Sequence, residues 1–448
     1  MKGDNQFMNL SYSVSVIKND FSNLSPDDTW SFKNIKRSET NYITHGYHRY
    51  PAKFIPQIVN RLISEFTSEG EFIFDPFGGC GTTLVEAKTL GRKSIGLDIN
   101  PVAKLITETK ITPLNPKLLD NYLNKFITDF DPLKIKDGIM THSERTNYWF
   151  EPGVQKELDS LYCAINGISN HRIRRFYLCA FSHILKNCSK WLMKSIKPQI
   201  DPDKIPPDVM TTFLGHVKHM MSKNREFYEL LETTGNLNTP AKMKLSDSTK
   251  KFPLKDNSID LIITSPPYVT SYEYADLHQL TLFWLGDDLS NFPAWAKFVN
   301  NFNNFRSKFM GTQFNKNRYI YSQSSSTALD ILEQLRVKKR EMVNSVSKYF
   351  LDMEKSFVEM YRVLNIKKHA CIIIGNTEIA SVNIKNAEVA AEQMKNVGFI
   401  IKRFIKRDVT NKMITPWRNK VTGKFTNKED KNSKRIYNYE FVIIGQKL

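Results

Sequence analysis

Asp260-Leu261-Ile262-Ile263-Thr264-Ser265-Pro266-Pro267-Tyr268 is the stretch from which the rest of the chain can be read. Ile259, Leu261, Ile262 and Ile263 form an apolar run of strand length. The two prolines end it, because proline donates nothing to a sheet ladder and belongs at a strand end. An extended Ser-Pro-Pro-Tyr then emerges at the carboxyl edge of a sheet, where open α/β folds bind ligands. Four residues there supply a hydroxyl (Ser265), outward carbonyls and an aromatic face (Tyr268). These groups suit a planar base with an exocyclic amine: Tyr268 stacks on the ring, and Ser265 and the Pro266 carbonyl accept from the NH₂. Taken alone, the tetrapeptide reads equally well as a strand followed by a rigid turn.

Working outward, Glu71–Pro76 is a second short apolar strand, and it ends in Asp75. Phe77-Gly78-Gly79-Cys80-Gly81-Thr82-Thr83 is a glycine-rich turn. Leu84 to Leu90 has helical character, with Gly91 as its cap. Ser94–Asp98 is a strand that closes on an acid. This strand, glycine turn, helix, strand and acid follow the logic of a nucleoside site: glycines admit the backbone, and the acid accepts from ribose hydroxyls. The third glycine of a dinucleotide fingerprint is missing, so a ligand with a ribose and a cationic amino-acid tail fits better, with Asp75 answering its ammonium. Asp247 again ends a strand, just ahead of the Ser-Pro-Pro-Tyr strand.

The 448 residues are long enough for two or three domains. Sixty-four Lys and Arg against 46 Asp and Glu leave a net charge of +18, which favours a polyanionic partner. Five scattered cysteines with no Cys-x-x-Cys spacing suggest neither a disulfide framework nor a zinc knuckle and fit a reducing cytoplasm. Met1–Asp4 opens no signal peptide, and no apolar run is long enough to cross a bilayer, so no membrane association is expected. His216 and His219 share a helix face but have no cysteine or paired acids nearby, so they read as solvated side chains, and no metal is expected.

The expected organisation has five parts. Residues 1–111 hold a partly mobile N-terminal arm (to about residue 40) and a cofactor-binding half. Residues 112–243 are a helical insert, a candidate DNA-recognition region. Residues 244–285 are the catalytic half. Residues 286–345 are an aromatic and basic insert, where Phe292, Trp295, Phe302, Phe314 and Tyr319 alternate with Lys297, Arg306, Lys316 and Arg318. That pattern serves nucleic-acid stacking or a core beneath a solvated basic face. Residues 346–448 return to the sheet and carry a basic, turn-rich loop at 406–436.

Together these residues resemble the amino-group DNA methyltransferases that use S-adenosylmethionine. Asp75-Pro-Phe-Gly-Gly-Cys-Gly-Thr-Thr83 is similar to the family's cofactor loop, and Gly96-Leu-Asp98 to its ribose-binding strand end. Asp247 is similar to the acid that meets adenine, and Tyr50-Pro-Ala-Lys53-Phe54-Ile-Pro56 to the loop over the methionine end. Thr264-Ser265-Pro266-Pro267-Tyr268 resembles the catalytic motif, with the serine head of the cytosine-N4 type. The resemblance implies a Rossmann-like α/β methyltransferase fold with a mostly parallel sheet. It implies Ser265, Pro266, Pro267 and Tyr268 as catalytic residues. It further implies that Lys53, Phe54, Asp75, Phe77, Gly79, Gly81, Thr82, Asp98 and Asp247 bind the cofactor. The implied substrate is double-stranded DNA with a flipped target base, and the resemblance leaves room for a cognate restriction endonuclease. An adenine-N6 or RNA amino-methyltransferase would use the same residues, and a non-catalytic nucleic-acid-binding protein could keep the fold. A carbon-5 cytosine methylase is excluded, since the chain has no Pro-Cys dipeptide.

Overall fold

The computed structural model describes residues 21–51, 53–131, 140–269, 273–312, 323–409, 417–419, 426–435 and 439–448. Seven strands build one sheet: β1 Phe72–Asp75, β2 Lys93–Asp98, β3 Ala241–Leu245, β4 Ile259–Thr264, β5 Leu364–Ile374, β6 Ile400–Asp408 and β7 Tyr439–Gln446. Their spatial order is β3-β2-β1-β4-β5-β7-β6. The first five run parallel, and β7 pairs antiparallel with both β5 and β6. This is the expected Rossmann-like α/β architecture with a mostly parallel sheet.

Both faces of the sheet are covered, so its central strands are apolar throughout. Alternate residues serve opposite faces. Ile73, Leu261, Ile263, Cys371 and Ile373 meet helix α1 (Pro56–Phe66), whose Ile58, Val59, Leu62 and Ile63 are fully buried. Each such side chain taken from water contributes about 1.5–3 kcal/mol. On the other face Phe74, Ile262 and Ile372 meet the helices at Val343–Val363 and Asn386–Val397. The chain winds outward from β1 to β3 and then restarts at β4 on the opposite side of β1. The strand order therefore reverses between the carboxyl ends of β1 and β4, which is where such sheets open a crevice.

Two excursions leave this body. Between β2 and β3 come α2 (Pro101–Lys110), whose Asn100 cap accepts from the Val102 N–H at 3.0 Å, and α3 (Pro116–Asp129). Then follow α4 (Pro152–Asn166), α5 (His171–Cys188) and α6 (Val209–Thr233). These helices share a core that includes Leu161, Phe181, Phe213 and Trp191. After β4, a helix at Gln279–Asp287 and the aromatics Phe302, Phe305 and Phe309 join that same core, whereas Met310 and the helix at Ser326–Lys338 pack under the sheet instead. So the described aromatics of this stretch are core residues or, like Trp295 and Phe298, half-buried against it. Phe314, Lys316, Arg318, Tyr319 and Tyr321 lie outside the described residues, as do Ala52, Tyr272, Pro416, Lys420 and Thr422–Lys424. Among the described residues no helix is long and apolar enough to cross a membrane.

Residues 21–40, expected as part of a mobile arm, are packed. Trp30 is buried, Phe21 packs against Phe404 at 4.5 Å and edge-on to Phe441 at 5.3 Å, and Asp27 N donates to Lys406 O at 2.7 Å. The edge strand β6 and its neighbour β7 supply the apolar surface that a polar-looking sequence does not reveal. The next segment is held by Glu86, a fully buried carboxylate on the helix at Thr82–Thr89. It accepts from Tyr42 Oη, from His45 Nε2 at 2.7 Å and from Asn60 Nδ2 at 2.9 Å. Burial pushes His45 down to about 4, so its ring is a neutral donor to Glu86. Glu86→Ala strands three buried donors and should cost about 2–4 kcal/mol, read as a lower urea midpoint. Glu86→Gln, which keeps an acceptor, should cost less than Glu86→Ala.

Candidate active site

Asp75 ends β1 and bonds in three directions. It accepts from Thr264 Oγ1 at 2.6 Å, Thr83 Oγ1 at 2.7 Å and Phe77 N at 3.0 Å. The carboxyl is almost wholly buried, which pushes its pKa up to about 6, against these hydrogen bonds. It ties the ends of β1 and β4 to the helix at Thr82–Thr89, and it does not line the cavity that opens above. Gly81 is also beneath the surface. Its φ is +78°, and a Cβ there would come within 2.6 Å of Thr107 Cγ2, so its lack of a side chain lets the loop press against α2.

Above this floor lies a cavity of about 2230 Å³, well beyond the roughly 300–1,000 Å³ of a single small-ligand pocket. Phe77, Gly79, Thr82 and Asp98 line it from the first half of the sheet, and Asp247 from the end of β3. Ser265, Pro266, Pro267 and Tyr268 line it from the end of β4, and Lys53 and Phe54 from the loop before α1. The fold therefore gathers eleven of the thirteen expected site residues around one space, with Asp75 and Gly81 as its foundation.

Asp98 accepts from Asn100 N at 2.7 Å and Gly79 N at 3.0 Å, and burial pushes its pKa up to about 6. Asp247 closes a turn, accepting from Thr249 N at 2.9 Å and Thr249 Oγ1 at 2.7 Å. Lys53 Nζ donates to Asn41 Oδ1 and His45 O, both at 2.9 Å, and burial pushes its pKa down to about 8. Cations stand around the cavity: Lys36, Arg37, Arg49, Lys194, Lys197 and Lys308.

Sequence reasoning missed two features. One is the acid–base pair of Glu440 and Arg407 at the far wall. The other is a histidine cluster assembled from four segments. His48 Nε2 lies 2.9 Å from Ser182 Oγ, His183 stacks on His216 with centroids 3.7 Å apart, and His278 packs 4.9 Å from the Tyr50 ring. His216, expected to be solvated, is instead stacked and bonded to Tyr47 O at 2.9 Å; the loop at 45–50 covers it. Among the described residues no group of three or more His, Cys, Asp or Glu can hold a metal ion. No spacing in the sequence signals the cluster, because its members come together only when α5, α6 and two loops pack.

A DNA methylase family model, that of the N6/N4 enzymes, matches residues 9–109. The Type II methyltransferase M.MvaI of Kocuria varians is 25% identical over 427 residues, covering 90% of this chain and 91% of that protein. M.BsoBI of Geobacillus stearothermophilus is 24% identical over 420 residues, covering 81% and 80%. M.MjaII of Methanocaldococcus jannaschii is 24% identical over 339 residues, covering 55% and 63%. The chain is thus similar to the N6/N4 DNA methylases in the segment 9–109, and to M.MvaI and M.BsoBI over most of its length. The matched segment carries the glycine loop and Asp98, and the alignments with M.MvaI and M.BsoBI extend over most of the chain.

The buried histidines should make the fold acid-sensitive. Burial pushes His45, His216 and His278 down to about 4 and holds His48 and His183 well below their usual value. The unfolded chain takes up these protons near pH 6.5 and the folded chain does not, so stability is full above that pH and drains as pH falls toward 4. Asp75 and Asp98, raised to about 6, act oppositely: their contribution is present below about pH 4 and is lost as pH rises through 6. Five histidines outweigh two acids, so the melting temperature should fall by about several degrees from pH 7 to 5. A flat or rising melting profile over that range contradicts the buried-neutral state of the cluster.

Proposed function

We propose that this enzyme transfers a methyl group to the exocyclic N4 amine of cytosine at specific sites in duplex DNA, as the modification partner in a restriction-modification system. The observation that carries the reading is the shared cavity: Ser265-Pro-Pro-Tyr268 at the end of β4 faces the same space as Gly79 and Asp98. The serine head of the motif favours cytosine. The Type II relatives and the +18 charge support DNA as the polyanion.

In this reading Asp98 accepts from the ribose hydroxyls, with its carboxylate already aimed by the Gly79 and Asn100 N–H groups. Asp247 meets the adenine, the Phe77–Thr82 loop approaches through its backbone, and Lys53 and Phe54 close over the methionine end. Asp75 and Gly81 serve the cofactor indirectly, by holding that loop in place. When bound, S-adenosylmethionine supplies an electrophilic sulfonium methyl. An aryl amine is a weak nucleophile because its lone pair is delocalised into the ring. Hydrogen bonds from NH₂ to Ser265 and the Pro266 carbonyl favour a pyramidal nitrogen with its lone pair aimed across the cavity, and fixed alignment supplies much of the rate. Extruding the base costs a few kcal/mol, partly offset by stacking on Tyr268. The cationic rim contacts phosphates, so binding weakens steeply with salt.

Incubation of the purified chain with methyl-labelled S-adenosylmethionine and unmethylated DNA, followed by digestion to nucleosides and mass analysis, should yield N4-methylcytosine. N6-methyladenine instead would reassign the base, and cofactor binding with no methyl transfer to DNA would sink the proposal. Tyr268→Ala should weaken DNA base capture by about tenfold or more, given roughly 1–3 kcal/mol for a stacked base, while leaving cofactor affinity close to wild type. Equal losses of both in titrations would argue against a stacking role.

A further inference from the structure

Glu440 and Arg407 are cross-strand partners in the antiparallel β6–β7 pair, at the edge of the sheet that overhangs the cavity. Arg407 Nη1 donates to Glu440 Oε2 at 2.6 Å, and both side chains are largely buried. The guanidinium is itself fixed from behind, with Nε donating to Trp30 O at 2.8 Å. The carboxylate therefore has one oxygen held and the other, Oε1, turned to the Tyr268 hydroxyl, which donates to it at 3.3 Å. Across the ring lies Gly375, just beyond β5. A Cβ at Gly375 would stand 3.3 Å from Tyr268 Oη and 3.4 Å from its Cε2, so a side chain there would press the phenol aside by a few tenths of an ångström.

We propose that Glu440, anchored by Arg407, is the positioning residue that sets the Tyr268 ring for base capture, with Gly375 providing the room the ring needs. The proposal rests on the methyl-transfer reading above and adds to it the reason for a tyrosine. Stacking needs only an aromatic face, which phenylalanine supplies as well. A hydroxyl at the far end of the ring, tied to a fixed carboxylate, restricts the ring's rotation and orients its face toward the Ser265–Pro267 acceptors. The 3.3 Å separation exceeds the roughly 2.7 Å of a relaxed hydroxyl bond, so the ring has a few tenths of an ångström of travel toward Glu440 when a base loads against it. An ion pair serving only to hold β6 to β7 would have no need of the tyrosine.

The test uses the full chain, steady-state methylation of unmethylated DNA, and separate KM values for DNA and for S-adenosylmethionine. Tyr268→Phe and Glu440→Ala should each lower kcat/KM for DNA by about tenfold, the scale of one hydrogen bond to a charged acceptor, with KM for S-adenosylmethionine within about twofold of wild type. The double variant should be no worse than either single one, because both remove the same contact. Glu440→Gln, which keeps an acceptor for the hydroxyl, should recover most of the loss, and Gly375→Ala should impair DNA turnover through the ring while sparing cofactor KM. If Glu440→Ala destabilises the fold, Tyr268→Phe and Glu440→Gln still decide the matter: wild-type turnover in Tyr268→Phe overturns the proposal. Additive losses in the double variant, or equal loss of cofactor binding, overturn it as well and leave the methyl-transfer reading standing. If the wild-type chain transfers no methyl group to DNA, both readings fall together.

Discussion

One buried carboxylate holds the candidate site together. Asp75 joins residues 189 positions apart in the chain, through Thr264 at the end of β4, and it bonds in the same step to Thr83 at the start of the helix that follows the glycine loop. A carboxylate taken out of water is costly unless its lone pairs are met. Three donors meet them here, and the geometry of those bonds fixes how far the glycine loop stands from the Ser-Pro-Pro-Tyr segment. The spacing of the two segments that face each other across the cavity is thus set below its floor, by a residue that does not line it.

The walls come from elsewhere. The sheet edge supplies Asp98, Asp247 and Tyr268, but the enclosure is built by excursions that leave the sheet and return. α5 and α6 bring His183 and His216 against the loop at 45–50, and the segment after Tyr268 folds its phenylalanines onto the same helical core. Apolar burial in that core holds polar groups at the cavity margin. The histidines there are kept neutral by burial in a chain that already carries +18. A charged cluster at that spot would add repulsion next to Arg49, which is itself bound to His183 O at 3.2 Å. The cationic groups that can meet phosphate stand at the rim, where water and counterions temper their mutual repulsion.

The antiparallel edge of the sheet does more than close it. β6 and β7 carry Arg407 and Glu440 side by side because antiparallel pairing places those residues directly opposite one another. The N-terminal segment at Trp30 and Ser31 packs on the same edge and holds the guanidinium through backbone carbonyls. A stretch far from Tyr268 in sequence therefore stands behind the ion pair that meets the tyrosine's hydroxyl.

The apolar runs at 72–75 and 259–264, ended by acid and proline, determined the fold class and the location of the site without any structure. Strand patterning and turn chemistry are local, and the glycine loop, Asp98 and Ser265–Tyr268 carry their meaning in consecutive residues. Tertiary structure alone decided that Asp75 lies under the cavity, that His216 is stacked on His183, and that the described aromatics at 292–309 are core residues or half-buried against the core. It also paired Glu440 with Arg407 and brought both to Tyr268. These outcomes depend on which buried surfaces meet across hundreds of residues, and packing at that range leaves no period or spacing in the chain to be read.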